Sequence, residues 1–202
     1  IGSSQPINAW RDLSDNNNNV TQTNASNQPI WISGTANRGR PYLGFNGSTS
    51  CLFNNASGLI SLPNESYTMF AVFESDITTH EEYGQVITGI NKSDGTPIGG
   101  VNINPLATHG GGGTDSVSFY NKNTLTNLYE NHISTAGVTD PKIIVGRKNG
   151  TALDIIDENG STDTSTGINS TDGAYFTIGA LVNSTIDAEF DGKIYEVIVV
   201  GE

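Results

Sequence analysis

Four Asn-Gly or Asp-Gly pairs punctuate the second half of this chain: Asn149-Gly150, Asn159-Gly160, Asp172-Gly173 and Asp191-Gly192. Asn-Gly and Asp-Gly flanked by alternating apolar residues are the strongest short-range signal for a β-hairpin, because both residue types accept the positive φ that a tight turn needs. The runs between the turns fit strands. Tyr67–Glu74 is continuously β-prone and apolar on both faces, which predicts a central strand. Gln85–Ile90 follows after a polar loop. Gly100–Asn104 alternates, with Val101 and Ile103 on one face and Asn102 and Asn104 on the other. Ser116–Lys122 sets Val117 and Phe119 against Ser118 and Tyr120. Lys142–Arg147, Ala152–Asp157, Gly173–Ala180 and Glu189–Val200 complete the set. No stretch of useful length has helical periodicity. The pattern predicts an all-β fold, an antiparallel two-sheet β-sandwich.

The 202 residues suit one domain spanning 1–202, and no linker or composition break divides them. The net charge of −12 speaks against nucleic acid and against anionic membrane surfaces, both of which call for basic patches. No apolar run approaches the ~20 residues of a membrane-spanning helix, so no membrane insertion is expected. No leader peptide is read at the start, and a first residue of Ile1 rather than Met is compatible with excision from a larger protein. The single cysteine, Cys51, excludes an intrachain disulfide and reads as a small buried hydrophobe. Asn-x-Ser/Thr triplets recur from Asn19 to Asn183, as chance alone provides in a chain so rich in Asn, Ser and Thr.

The first third carries an ordered series: Ala9-Trp-Arg-Asp-Leu-Ser-Asp15, the Asn16–Asn19 run, Val20-Thr-Gln22, Asn27-Gln-Pro29, then Arg40-Pro-Tyr-Leu-Gly-Phe-Asn-Gly-Ser48 and Leu52. With Tyr67–Phe73 and the terminal Phe176–Val200 segment, it resembles the laminin-G-like branch of the concanavalin A-like jelly rolls, as found in bacterial secreted proteins and phage virion proteins. Asp15 stands where that pattern has Gly, and Asn46 where it has Asp. The resemblance covers nearly the whole chain and implies the fold. Its motifs are mostly turns and core positions, so they say little about function. Trp10 and Phe45 are expected as core anchors, and Asp12–Asp15 as a turn bonded to its own backbone. The terminal Phe190-Asp-Gly192 segment is expected to be a turn that opens the closing strand.

Catalysis is not expected. Related glycanases carry Glu-x-Asp-x-(x)-Glu on one strand, because retaining hydrolysis needs two carboxyls of unlike pKa close together. The nearest match here, Asp154-Ile-Ile-Asp-Glu158, lacks the leading Glu and has an apolar middle. The Arg-rich and Tyr-Lys strands of alginate-lyase jelly rolls are absent too. His80, His109 and His132 have no zinc spacing and read as exposed loop residues. A structural calcium, the commonest ion of this architecture, would fall to Asp15 and the asparagines after it or, by the resemblance, to a cluster around Asp187 and Asp191.

Sugar binding calls for an aromatic platform beside planar hydrogen-bonding groups. If Val101, Ile103, Val117 and Phe119 face the core, then Asn102, Asn104, Ser118, Tyr120 and Lys122 face outward, on the surface that in such jelly rolls is the usual glycan site. The glycine-rich loop His109–Asp115 reads as a mobile hairpin tip; such tips beside a sheet can also serve as ligand lids, which brings His109 into the candidate set. The expected function is a non-catalytic module that recognises a glycan or polysaccharide on a cell surface, carried by a secreted, cell-surface or virion protein outside the cell. The rival is a structural domain docking on protein neighbours or on its own copies, through an apolar patch around Tyr42, Tyr129 and Ile133. A glycoside hydrolase is the third reading.

Overall fold

The β-prone runs become strands in the order β1 (Ser4–Pro6), β2 (Ala9–Trp10), β3 (Val20–Thr21), β4 (Ile30–Ile32), β5 (Tyr42–Asn46), β6 (Leu52–Phe53), β7 (Ser66–Ser75), β8 (Gly84–Asn91), β9 (Pro97–Asn104), β10 (Ser116–Lys122), β11 (Leu128–Ser134), β12 (Lys142–Asn149), β13 (Ala152–Asp157), β14 (Thr162–Thr166), β15 (Ala174–Ile178), β16 (Leu181–Val182), β17 (Ile186–Asp187) and β18 (Asp191–Gly201). The computed structural model describes residues 4–15, 17–34, 39–54, 66–76, 84–91, 97–104, 116–122, 128–134, 141–166, 174–182, 186–187 and 189–201. Two antiparallel eight-stranded sheets form, ordered β1-β4-β5-β18-β7-β12-β13-β14 and β11-β10-β9-β8-β15-β6-β3-β2, with β16 and β17 as a small ribbon. This is the β-sandwich the sequence predicts. Among the described residues no helix is long and apolar enough to cross a membrane.

Strict alternation along β7 explains its central place in the first sheet. Tyr67, Met69, Ala71 and Phe73 are buried, while Thr68, Phe70 and Val72 are half-buried on the outward face. Opposite them the second sheet contributes Leu52, Ile87, Val101, Val117, Phe119, Phe176 and Ile178 to the same core. Rings meet edge to face, Tyr67 on Phe119 at 6.1 Å and Phe190 on both Phe45 and Phe73 at about 6 Å, the arrangement aromatic quadrupoles favour. Phe45 is a core anchor as expected. Trp10 is half-buried and packs on the core's margin.

The turns mostly follow their sequences. β12 and β13 are joined by a two-residue loop, Gly150-Thr151, with φ of 59° at Gly150. Asn149 belongs to the strand and accepts a hydrogen bond from Ser66 Oγ at 3.2 Å. Asp157 organises the Asn159-Gly160 turn by accepting from the backbone N–H of Asn159 at 2.9 Å and of Ser161 at 2.7 Å. Asp12 does the same for the N-terminal turn, accepting from Ser14 N and Asn18 N, each at 2.8 Å. The substitution of Asn46 for Asp keeps its purpose: Oδ1 accepts from the backbone N–H of Ser48, Thr49 and Ser50 at 3.0–3.1 Å. Asp172-Gly173 lies outside the described residues.

The terminal segment departs from expectation. The two strands read as a closing pair, β15 and β18, belong to different sheets. β18 sits in the middle of the first sheet, between β5 and β7. Asp191-Gly192 is its first two residues and not a turn. Gly192, at φ 145°, is required because β7 passes close by: a Cβ there would lie 2.9 Å from Ser75 Cα and closer to Glu74 O.

Candidate functional site

On the second sheet the core-facing side chains Val101, Val117 and Phe119 are fully buried, so the residues between them occupy the outward face. Register then assembles two rows. One runs Gln85, Asn102, Ser118, His132 across β8, β9, β10 and β11. The next runs Thr88, Gly100, Tyr120, Glu130 across the same strands. Asn104 registers with Ser116, and Lys122 with Leu128 at the far end of β10. Five sequence-selected residues, Asn102, Asn104, Ser118, Tyr120 and Lys122, thus fall on two adjacent strands. His109 lies outside the described residues.

Two expectations for this face change. Ser118 is fully buried, not solvent-facing. Serine is the shortest residue type in its row, so it forms a floor between the positions of Asn102 and His132. His132 is on β11 and not in a loop, and it joins the row directly opposite Ser118. Glu130 and His132 were missed because the segment Leu128–Ser134 alternates poorly, and Gln85 because the register of β8 shifts between it and Ile87. Only the pairing with β10 reveals which residues of Leu128–Ser134 share the outward face. His80 lies outside the described residues.

The metal candidates do not assemble. Asp15 is exposed in the turn after Ser14. Several neighbouring oxygens serve the loop itself: Asp12 holds Ser14 and Asn18, and Asn19 Oδ1 accepts from Asp12 N at 2.9 Å, while Asn18 Oδ1 is buried without a hydrogen-bond partner. Asp187 registers with Leu181 in the ribbon, and Asp191 with Asn46 at the start of β18. Among the described residues no three His, Cys, Asp or Glu side chains come together as a metal-ligating group.

The carboxylates of β13 have structural partners. Asp154 Oδ2 accepts from Arg147 Nε at 3.0 Å and Nη2 at 2.5 Å. Glu158 takes Lys142 Nζ at 3.4 Å and the backbone N–H of Ile143 at 3.2 Å. Asp157 caps its turn. Burial opposes its ionisation, but the hydrogen bonds from Ser161 and Asn159 together outweigh that and hold its pKa below the usual carboxylate value. Asp12 is lowered for the same reasons through Ser14 and Asn18. Cys51 is fully buried as expected, with Gln22 Nε2 donating to Sγ at 3.1 Å. Burial pushes its thiol pKa up, against the Gln22 bond and with help from the charge of Glu189.

The outward face of the first sheet is of another kind. Register aligns Ile156, Val145, Phe70 and Ile198 across β13, β12, β7 and β18, with Ile143 and Val72 in the next row and Val200 beyond. Ile143, Ile156, Ile198 and Val200 are each 38–47% exposed. Among the described residues the exposed apolar patch is here; of the patch expected around Tyr42, Tyr129 and Ile133, only Tyr42 has a described side chain. Tyr42 packs on Tyr195 with ring centroids 5.7 Å apart, and Ile133 registers with core-facing Val117. Beside the patch Glu74 is held by Lys193 Nζ and by Tyr195 OH at 3.0 Å.

The two-sheet architecture and its strand order define a concanavalin A-like jelly roll, the fold that the opening and closing motifs implied. Solved structures of the same fold include domain 4 of AbnA, an extracellular arabinanase from Geobacillus stearothermophilus in complex with arabinotriose. The likeness covers 98% of this chain and 81% of that one, at 14% identity and a TM-score of 0.56. An arabinofuranosidase complexed with arabinofuranosyl-α-1,2-xylobiose matches over 98% of this chain at 18% identity and a TM-score of 0.66, and this chain spans 47% of its length. Domains LG4-5 of the mouse laminin α1 chain match over 85% of this chain and 48% of theirs, at 12% identity and a TM-score of 0.54. At such identities the likeness is one of fold. No protein-family model matches the sequence, and no curated protein does.

Proposed function

We propose that this domain is a non-catalytic glycan-recognition module that works outside the cell, on a secreted, cell-surface or virion protein, and binds through the outward face of the second sheet. The observation that carries the reading is the register itself. It gathers amide, hydroxyl and imidazole residue types in one row, Gln85, Asn102, Ser118 and His132, and sets Tyr120 in the adjoining row between Gly100 and Glu130. Amides and hydroxyls offer paired donors and acceptors to sugar hydroxyls, and a tyrosine is the residue type whose ring can take a sugar's C–H face. The carbohydrate complexes of two fold neighbours support the class of ligand. The test is a glycan array probed with and without a calcium chelator. Binding to a defined glycan that Tyr120→Ala abolishes, with the fold retained by circular dichroism, is the expected result. An array without a hit, or binding indifferent to Tyr120→Ala, overturns the assignment. The chelator arm reads the calcium contribution.

The apolar stripe on the first sheet favours a second reading, docking on a protein neighbour or another copy, since contiguous exposed apolar surface marks contact sites. Light scattering of the purified domain across a concentration series tests the self-association form. An oligomer dissolved by Ile198→Lys supports it, and a monomer at all concentrations refutes it.

A further inference from the structure

Both tryptophans of the chain line one cavity, and it is far from neither sheet. After β1 in the first sheet the chain crosses to β2 in the second. The crossing is pinned by Ile7 N donating to Pro29 O at 3.0 Å and Gln22 N donating to Asn8 O at 2.9 Å. Beside the crossing lies a cavity of about 390 Å³, walled by Ile7 of the crossing, Trp10 of β2 and Arg11 after it, Gln5 of β1, Trp31 of β4 and Tyr42 of β5, among others. Trp10 and Trp31 are half-buried, each packed on the core's margin.

Two polar side chains at this cavity are unspent. Neither the Arg11 guanidinium nor the Gln5 amide has a hydrogen-bond partner among the described residues, and both side chains are exposed. Elsewhere Lys142, Arg147 and Lys193 are paired with Glu158, Asp154 and Glu74. A guanidinium is a rigid fork matched to a carboxylate, which it takes in two parallel bonds. Indole rings offer flat apolar faces, and a Gln amide both donates and accepts. The volume is within the ~300–1,000 Å³ of small-molecule sites, enough for a short ligand and not for a long groove-bound chain.

We propose that this cavity is a second ligand site, separate from the second-sheet face, and that it takes an acidic sugar residue: the uronate carboxylate on Arg11, the pyranose C–H face against Trp10 and Trp31, and a ring hydroxyl on Gln5. Because the chain has no other tryptophan, intrinsic tryptophan fluorescence reports occupancy directly. The intact domain is titrated with glucuronate and galacturonate, with glucose and galactose as their neutral counterparts, and with acetate alone. The expected result is a saturable emission change with the uronates at about millimolar concentration, at least about tenfold weaker for the neutral sugars and absent with acetate. Arg11→Gln, an exposed position where folding is not at stake, is expected to erase the preference for uronate, and Tyr120→Ala to leave it intact. Equal response to neutral sugars, the same response to acetate, a preference that survives Arg11→Gln, or no saturable change with either uronate overturns the proposal. Loss through Tyr120→Ala would also overturn it, by assigning the signal to the second-sheet face.

Discussion

Replacing Gly146 with alanine tests how this sandwich is packed. Gly146 lies on β12 facing the core, in register with Met69 and Ile155. A Cβ there would lie 2.7 Å from Phe119 Cε2, and closer still to Cδ2 and Cγ, against the ~3.5–4.0 Å that carbon contacts prefer. The Phe119 ring has nowhere to retreat, since it is fully buried and in contact with Tyr67. Two effects oppose one another. Removing glycine's freedom from the unfolded chain stabilises by about 0.4–1 kcal/mol where the backbone tolerates alanine. Overpacking a closed core costs about 1–3 kcal/mol. The steric term wins, for a net loss of roughly 1–2 kcal/mol, or about 3–6 °C in Tm for a domain of this size. Urea unfolding should show the midpoint falling with the m-value unchanged. In a Phe119→Leu background the same substitution should cost less than about 0.5 kcal/mol, because the ring it strikes is gone and the two sites are coupled. A Gly146→Ala protein as stable as the parent, or one that loses the same amount in both backgrounds, would refute the claim that Phe119 seats on the β12 backbone.

Two further outcomes follow from the hydrogen bonding and the titrating groups. Asn46→Ala should destabilise by about 1–2 kcal/mol, since three backbone N–H groups lose their common acceptor; Asn46→Asp, which keeps the acceptor, should lose clearly less by the same denaturation measurement. At alkaline pH, the thiol of Cys51 is held protonated by burial and Lys193 is held charged by Glu74 in spite of its own burial. Both pKa values are raised in the folded state, so their contributions are complete below the unfolded values, ~8.5 for Cys and ~10.4 for Lys, and are lost as pH rises through the folded ones. Stability should therefore decline above about pH 9, and Cys51→Val should remove the earlier part of that decline; an unchanged profile in Cys51→Val counts against the thiol's share.

What the sequence disclosed and what it hid have a common physical basis. Alternation is a local property, so β7, β9, β10, β12 and β13 were legible, as were the turns at Gly150 and Gly160. Pairing is not local. Nothing in Phe176–Val200 says that β15 and β18 enter different sheets, and the Asp191-Gly192 dipeptide signals a turn whether its glycine serves φ or, as here, makes room for the Glu74 carbonyl. Lys148 shows the same limit. Its place two residues after Gly146 puts it on the core side of β12, where it is 1% exposed, but the residue type argues for solvent. The second-sheet face was legible in part, because Val101, Val117 and Phe119 announce their neighbours' direction. His132 and Gln85 needed the ladder. The cavity beside the N-terminal crossing was illegible: its tryptophans lie on separate two- and three-residue strands, too short to carry a period.

The low apolar content raises the question of what holds such a chain without a disulfide. Only 35% of its residues are hydrophobic, which leaves few large side chains to fill the gap between two eight-stranded sheets. Glycines let each aromatic ring reach further. Phe119 lies directly on Gly146 of the opposite sheet, and Phe45 lies directly on Gly179. A ring resting on bare backbone excludes water from a strip of main chain that a larger residue would otherwise have to cover. The edge-to-face contacts of Phe190 with Phe45 and Phe73 tie the rings into one cluster, each worth about 0.5–1.5 kcal/mol beyond its burial. Much of the packing thus rests on ring-on-glycine contacts inside the sandwich. Binding is therefore tested at Asn102 and Tyr120, which alternate with the core-facing residues of β9 and β10, whereas substitution at Gly146 or Phe119 tests packing.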